Sequence, residues 1–373
     1  MKSKSAGNVG MSRRQVLKAG LTTAAALAIG GPVEASPQNQ TPHPPGLRVI
    51  DIHAHYFPQA YLDLVASDGK RFDAAYYSTD QGWFVKTPAG ANGPLPSKFI
   101  DLKARIGDMD QQGVGVQALS LTAPMLYWGD ADLSTNLAKA WNDAATEAHR
   151  TYPTRLVGFL TLPMLHPDRA LAELERASKL PGMRGVYLGT NVGGHDLDNP
   201  LFEPVLARIE ALDLPIFLHP VDPGGDRLRP FYLTNLLGNP FDTAIAACHL
   251  IFGGVLDRHP KLQICLPHGG GVLPILAGRI DQGWKVRSEL KHLPQAPSDY
   301  LQRFTYDTVT HSKPIMEFVI KQVGPERVMV GSDYCFAMGY ERPVQFLEQV
   351  DLTSAQRQMI LGGNAERVLK LVG

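Results

Sequence analysis

Cysteine is scarce in this chain: Cys248, Cys265 and Cys335 are the only three in 373 residues, and no CxxC pair occurs. A disulfide framework, a zinc ribbon and an iron–sulfur cluster are thereby excluded. Excess charge of either sign is also missing. Lys plus Arg and Asp plus Glu both number 36, so the formal net charge is zero. Nothing in that balance suits a nucleic-acid partner or an anionic membrane surface. Apolar runs are short, and the mild one at residues 19–31 cannot span a bilayer as a stable helix, so no stable membrane insertion is expected. Internal repeats, low-complexity tracts and a GxSxG nucleophile elbow are absent. What remains is ordinary globular composition, 44% hydrophobic and 19% charged, in a length that a single α/β barrel commonly reaches.

The first residues read as a targeting segment. Ser12-Arg13-Arg14-Gln15-Val16-Leu17-Lys18 carries an arginine pair, the apolar stretch follows it, and Val33-Glu34-Ala35 supplies small residues for cleavage. Residues 1–35 therefore resemble a bacterial twin-arginine signal peptide, which predicts a periplasmic or secreted enzyme that is exported already folded. Residues 36–46, rich in Pro, Gln, Asn and Thr, read as a linker. Residues 47–373 form the catalytic unit.

From Val49 onward, strand-like and helix-like patterns alternate, the signature of βαβ units and a parallel sheet. Eight apolar runs qualify as strands: 49–52, 114–121, 156–162, 185–188, 214–218, 262–266, 304–307 and 328–331. Amphipathic stretches at 101–112, 133–152, 168–180 and 314–323 lie between them. An open doubly wound sheet uses the same unit, but the count of eight favours a (β/α)8 TIM-like barrel. Residues 56–99, rich in Gly, Pro and aromatics, are too long for a plain loop and predict a small insertion subdomain after strand 1. Residues 220–240 predict a second rim-covering loop.

Polar residues sit where these strands end. His53 and His55, in Asp51-Ile52-His53-Ala54-His55, point to the same side of the first strand. His219 follows the fifth strand, His268 the sixth and Asp333 the eighth. A barrel brings its strand C-termini to one rim, where the active sites of this fold lie. Neutral imidazoles bind zinc and its first-row neighbours, and a catalytic site keeps one position open. His53, His55, His219 and Asp333 are therefore candidate metal ligands. Asp333 could alternatively take a proton, and His268 is the candidate general acid/base. Gly269-Gly270-Gly271 behind it suggests a bare backbone that lets substrate approach closely. Asp51 is left between a supporting and a structural role, and His311 is a minor supporting candidate. His149, His166 and His249 read as surface or core. Gly113-Val114-Gly115 imitates a dinucleotide fingerprint, but it follows a helix and enters a strand, the reverse of what pyrophosphate binding needs.

These stretches resemble the amidohydrolase-related group of the amidohydrolase superfamily, on the side of the 2-amino-3-carboxymuconate-6-semialdehyde decarboxylases. Residues 51–55, Met109-Asp110-Gln111-Gln112-Gly113-Val114 and 262–280 carry the likeness, with Gly363-Asn364-Ala365 adding to it. The resemblance implies zinc, or another divalent transition metal, on His53, His55, His219 and Asp333, with His268 relaying a proton. It also implies that Arg279 reaches a substrate carboxylate from a neighbouring subunit, so a homodimer is expected. Val221 stands after Pro220 where those decarboxylases have tryptophan. Lys86 and Lys98 are the only cations where they carry a substrate-binding arginine. The reading is non-oxidative decarboxylation of a small unsaturated or aromatic carboxylic acid. The alternative is a hydrolase of a lactone, amide or ester, or a hydratase, on the same residues.

Overall fold

The computed structural model describes residues 48–221 and 224–371. The expected signal peptide and linker lie outside the described residues. Eight parallel strands form one sheet in the order β1 (Ile50–His55), β2 (Val116–Ser120), β3 (Leu156–Leu160), β4 (Met183–Gly189), β5 (Ile216–His219), β6 (Ile264–Leu266), β7 (Phe304–Asp307) and β8 (Val328–Met329). The first strand meets the last. Ile52 N–H donates to the Val330 carbonyl at 2.9 Å, and His55 N–H to the Tyr334 carbonyl at 2.7 Å. The sheet thus curls into the barrel expected from the eight apolar runs, with helices packed outside it.

The strands are buried along their whole length, except single half-buried residues in β4 and β7, because a parallel barrel covers both faces. Strand ends differ from the sequence reading by a few residues. β1 runs on through His53 and His55, so the candidate ligands belong to the strand itself and not to the loop after it. β8 stops at Met329, two residues early, because the chain turns inward there to reach Ser332 and Asp333.

Local signals explain the helices. The Leu102–Gln112 helix begins where the Asp101 carboxylate accepts from Ala104 N–H at 3.0 Å, and ends at Gly113 with φ of 73°. That glycine is a helix terminator, so the apparent nucleotide fingerprint is a packing feature. The Lys313–Val323 helix buries Met316, Val319, Ile320 and Val323, the i, i+3, i+4, i+7 stripe of an amphipathic helix. Within residues 56–99 lie the Gln59–Ser67 helix and a three-stranded antiparallel sheet, Ala75–Thr79, Gly82–Thr87 and Gly90–Leu95. Trp83 anchors this sheet to the barrel. It is buried against Phe57 and Phe99, and its indole N–H donates to the Pro96 carbonyl at 3.0 Å.

Candidate metal centre and active site

His53, His55, His219 and Asp333 converge at the C-terminal rim of the barrel. Each offers one ligand atom, all four atoms lie within 4.8 Å of one another, and all four residues are buried. The Nε2 atoms of His53 and His55 are 3.2 Å apart. Asp333 Oδ1 lies 3.1 Å from His55 Nε2 and 3.4 Å from His53 Nε2.

The outward nitrogens decide the chemistry of the inward ones. His53 Nδ1 meets the Asp307 carboxylate at 2.6 Å. His219 Nδ1 meets the Pro220 carbonyl at 2.9 Å, which can only accept. His55 Nδ1 meets the Ser120 hydroxyl at 3.1 Å; that hydroxyl can give its proton to the Ala54 carbonyl at 3.2 Å, leaving a lone pair for the ring. All three rings are therefore set to carry their proton on Nδ1 and to aim a bare Nε2 lone pair inward. His219 Nε2 is buried with no hydrogen-bond partner among the described residues. Three lone pairs and a carboxylate facing one point, with no donor between them, fit a divalent cation.

Electrostatics agree with that fit. Burial, reinforced by the neighbouring imidazoles, pulls His219 well below the ordinary histidine value, and burial lowers His55 to about 4. Burial works against the Asp333 anion, yet His53, His268 and His55 hold its carboxyl well below the usual range. Neutral imidazoles beside an ionised carboxylate are the protonation states a metal requires. His53 is the exception. Burial opposes its charge, but Asp333, Asp307 and Asp51 outweigh burial and raise its pKa. A cation between the ligands would compensate those same carboxylates.

His268 lies at the edge of this cluster, its Nε2 3.9 Å from Asp333 Oδ2. Its φ of 54° and that of 57° at Asp333 are left-handed, as is His311 at 53°. Such backbone costs about 1–2 kcal/mol per non-glycine residue and persists where surrounding structure enforces it. Gly269 and Gly271 line the cavity beside His268, and all three glycines also pack tightly against protein. A Cβ on Gly271 would sit 2.1 Å from the Pro240 carbonyl oxygen, one on Gly269 2.6 Å from Thr310 and one on Gly270 2.7 Å from Tyr306. They are packing glycines that let this turn fold against its neighbours.

Asp307 and Arg105 support the site without an obvious mark in the sequence, and Asp51, whose role the sequence left open, joins them. Asp307 ends β7 and holds His53, while its other oxygen accepts from Gly269 N–H at 2.9 Å and Val309 N–H at 3.0 Å. Arg105 is wholly buried, donating to Gln117 at 2.7 Å and to the His55 carbonyl, with Tyr334 under its guanidinium at 4.6 Å. Its signal was a cation on the buried helix face beside Met109, one turn away. Asp51 accepts from Gln117, from His53 N–H and from both Ser332 groups. It therefore ties β1 to β2 and to the segment after β8.

Arg279 is not brought to this cluster. It is exposed on the Leu273–Val286 helix, beside an apolar groove of about 620 Å³ shared with Phe241, Ile245 and Cys248. Lys98 is also turned away, paired with Asp108 at 2.6 Å beside a different cavity. His249 sits between Asp196 and Asp198, and His149 bonds the Leu156 carbonyl, both structural roles. His311 packs on Tyr340 and lines the cavity beside His268.

The amidohydrolase family model matches residues 50–371, nearly all of the described chain. The chain belongs to the amidohydrolase family. 2-Amino-3-carboxymuconate-6-semialdehyde decarboxylase of Dictyostelium discoideum is 32% identical over 332 residues, covering 86% of this chain and 91% of that one. The crystal structure of 5-carboxyvanillate decarboxylase from Sphingomonas paucimobilis is 28% identical with a TM-score of 0.76, covering 87% and 99% of the two chains. A dihydroxybenzoic acid decarboxylase from Polaromonas, solved with bound manganese and the inhibitor 2-nitroresorcinol, is 26% identical with a TM-score of 0.72, covering 87% and 97%. This amidohydrolase is thus an enzyme with decarboxylase relatives along almost its whole catalytic unit, and its four-residue site suits a divalent metal.

Proposed function

We propose that this amidohydrolase is a metal-dependent, non-oxidative decarboxylase of a small aromatic or unsaturated carboxylic acid. His53, His55, His219 and Asp333 would hold one divalent ion, with zinc favoured by the three-imidazole donor set. The observation that carries the reading is the inward aim of three Nε2 lone pairs and one carboxylate beside His268. A bound ion would supply Lewis acidity and charge neutralisation there.

The chain's own groups account for the proton. His268 gives a proton from its imidazole to the substrate carbon that bears the carboxylate. The carbon–carbon bond then breaks, its electron pair returns to the unsaturated system, and carbon dioxide leaves. Asp333 Oδ2 faces His268 Nε2 at 3.9 Å, which places the imidazole beside the four-residue cluster. Asp307 and Ser120 keep His53 and His55 from rotating.

The proposal extends to assembly and location. Arg279 is exposed, has no ion-pair partner among the described residues, and adjoins a groove where Phe241 and Ile245 are about half exposed. These features support a homodimer in which a second copy presents this arginine to the substrate carboxylate. The Arg13-Arg14 segment supports export to the periplasm.

The test is a metal-reconstituted screen of aromatic acids and lactones that follows carbon dioxide and acid release in parallel. Carbon dioxide is the expected product. His268→Ala should retain its metal and lose about 10²–10⁴-fold in turnover. Acid release from lactones with no carbon dioxide from any acid would reject the decarboxylase reading in favour of hydrolysis.

A further inference from the structure

The space above the metal cluster has two lobes. One, of about 310 Å³, reaches from His219, His268 and Asp333 past Val221 to the tip of the insertion hairpin at Ala89, Gly90 and Ala91. The other, of about 230 Å³, reaches toward Thr310, His311 and Met338. A cavity of about 150 Å³ suffices to hold one benzene-sized ring. The larger lobe therefore offers about twice the room that a single ring needs. It is continuous with the groups that would hold the metal and carry the proton.

The walls of that lobe indicate what the extra room suits. Away from the cluster it is bounded by the small side chains of Ala89, Ala91, Ala123 and Val221, and a Cβ on Gly90 would meet nothing within 4 Å. Phe336 supplies an aromatic side, held T-shaped against His55 and Phe99 at centroid distances of 5.3 and 4.8 Å. Among the described residues no Lys, Arg or Glu lines the lobe, and Asp333 at its metal end is the one acidic residue there. The roof is fixed in place. The Asn92 side-chain amide donates to the Ala123 carbonyl at 2.9 Å and ties the hairpin to the segment after β2. A chamber with small apolar walls and one aromatic face gains most from a flat apolar group. A charged extension would lose its hydration there with no cation from this chain to answer it.

Resting on the decarboxylase reading, we infer that the substrate carries a second, apolar ring, fused or linked to the one that bears the carboxylate. The first ring sits beside His268 and the metal ligands, and the second fills the lobe under the hairpin tip. 5-Carboxyvanillate and dihydroxybenzoic acid, named for the relatives above, have one ring each, so the second ring is read from this chain's own cavity. Ala91 on the Gly90–Leu95 strand and Val221 just after β5 set the size limit, because a larger side chain at either would occupy the room. They are specificity residues and take no part in the proton transfer.

The experiment measures calorimetric binding of benzoate and 2-naphthoate to the metal-loaded full chain, with carbon dioxide release from one-ring and two-ring acids followed separately. 2-Naphthoate should bind at least about tenfold more tightly than benzoate, as burial of the further ring carbons requires. Ala91→Phe and Val221→Phe should each weaken 2-naphthoate by at least about fivefold and move benzoate less than about twofold, with metal content and circular dichroism unchanged. The inference is overturned if neither acid binds, if 2-naphthoate binds no more tightly than benzoate, or if both variants bind 2-naphthoate as the wild type does. It is also overturned if both variants weaken benzoate as much as 2-naphthoate. Failure of the decarboxylase reading would look different: two-ring binding that both variants diminish, with no carbon dioxide from any acid.

Discussion

Replacing Asp307 by asparagine perturbs the candidate metal centre without touching a ligand. One Asp307 oxygen accepts from Gly269 N–H at 2.9 Å and Val309 N–H at 3.0 Å, and the other faces His53 Nδ1 at 2.6 Å. In Asp307→Asn the amide oxygen must stay with the two backbone donors. The amide NH2 then replaces the oxygen that faced His53, and two donors oppose each other unless the ring moves its proton to Nε2. That shift removes one of the three inward lone pairs. Loss of such an outer carboxylate typically costs 10–100-fold in metal affinity, about 1.4–2.7 kcal/mol. The assay is competition for zinc and for manganese against a chelator of known affinity, with circular dichroism to verify the fold. A variant that folds normally and binds both metals with wild-type affinity would refute the argument that Nδ1 partners set the ligand face of these histidines.

Other outcomes follow from the same geometry. Arg279→Ala should raise KM for a carboxylated substrate with metal content unchanged, and mixing it with His268→Ala subunits should restore activity, since a mixed dimer regains one complete site; no recovery despite verified subunit exchange would reject the shared site. Gly271→Ala should cost about 2–4 kcal/mol in a denaturant titration, combining left-handed strain with overpacking against Pro240; an unchanged midpoint would show that the turn can shift away. Protein from a periplasmic fraction should begin near Ser36 by N-terminal sequencing, and full-length chain confined to the cytosol would oppose export.

The barrel was legible because a parallel sheet buried on both faces leaves uninterrupted apolar runs, and polar residues at their ends stand out against them. His53 and His55 were legible for a second reason: strand periodicity of two puts them on one face without any tertiary knowledge. Asp307 was not, although it ends β7 much as His219 ends β5. A carboxylate at a strand end is ordinary, and only the 2.6 Å approach of His53, 254 positions away in sequence, separates a supporting anion from a cap.

The glycines behind His268 show a motif with two physical causes: Gly269 and Gly271 face the cavity beside His268, and all three also admit close packing. Three successive glycines permit close approach of something, and the sequence does not say what. Here the approaching atoms are protein: the Pro240 carbonyl, the Thr310 methyl and the Tyr306 ring. Because Asn239 and Pro240 begin a helix that lines the same cavity as His268, the tight turn at Gly271 also fixes how near that helix comes to His268. Val272 N–H donates to the Pro240 carbonyl at 3.3 Å and closes the same contact. The glycine run thus helps set the cavity wall, through its own backbone at Gly269 and Gly271 and through the helix it admits. A side chain at Gly271 would push the Pro240 end of that helix away from His268, widening the cavity while leaving His53, His55 and His219 on their own strands.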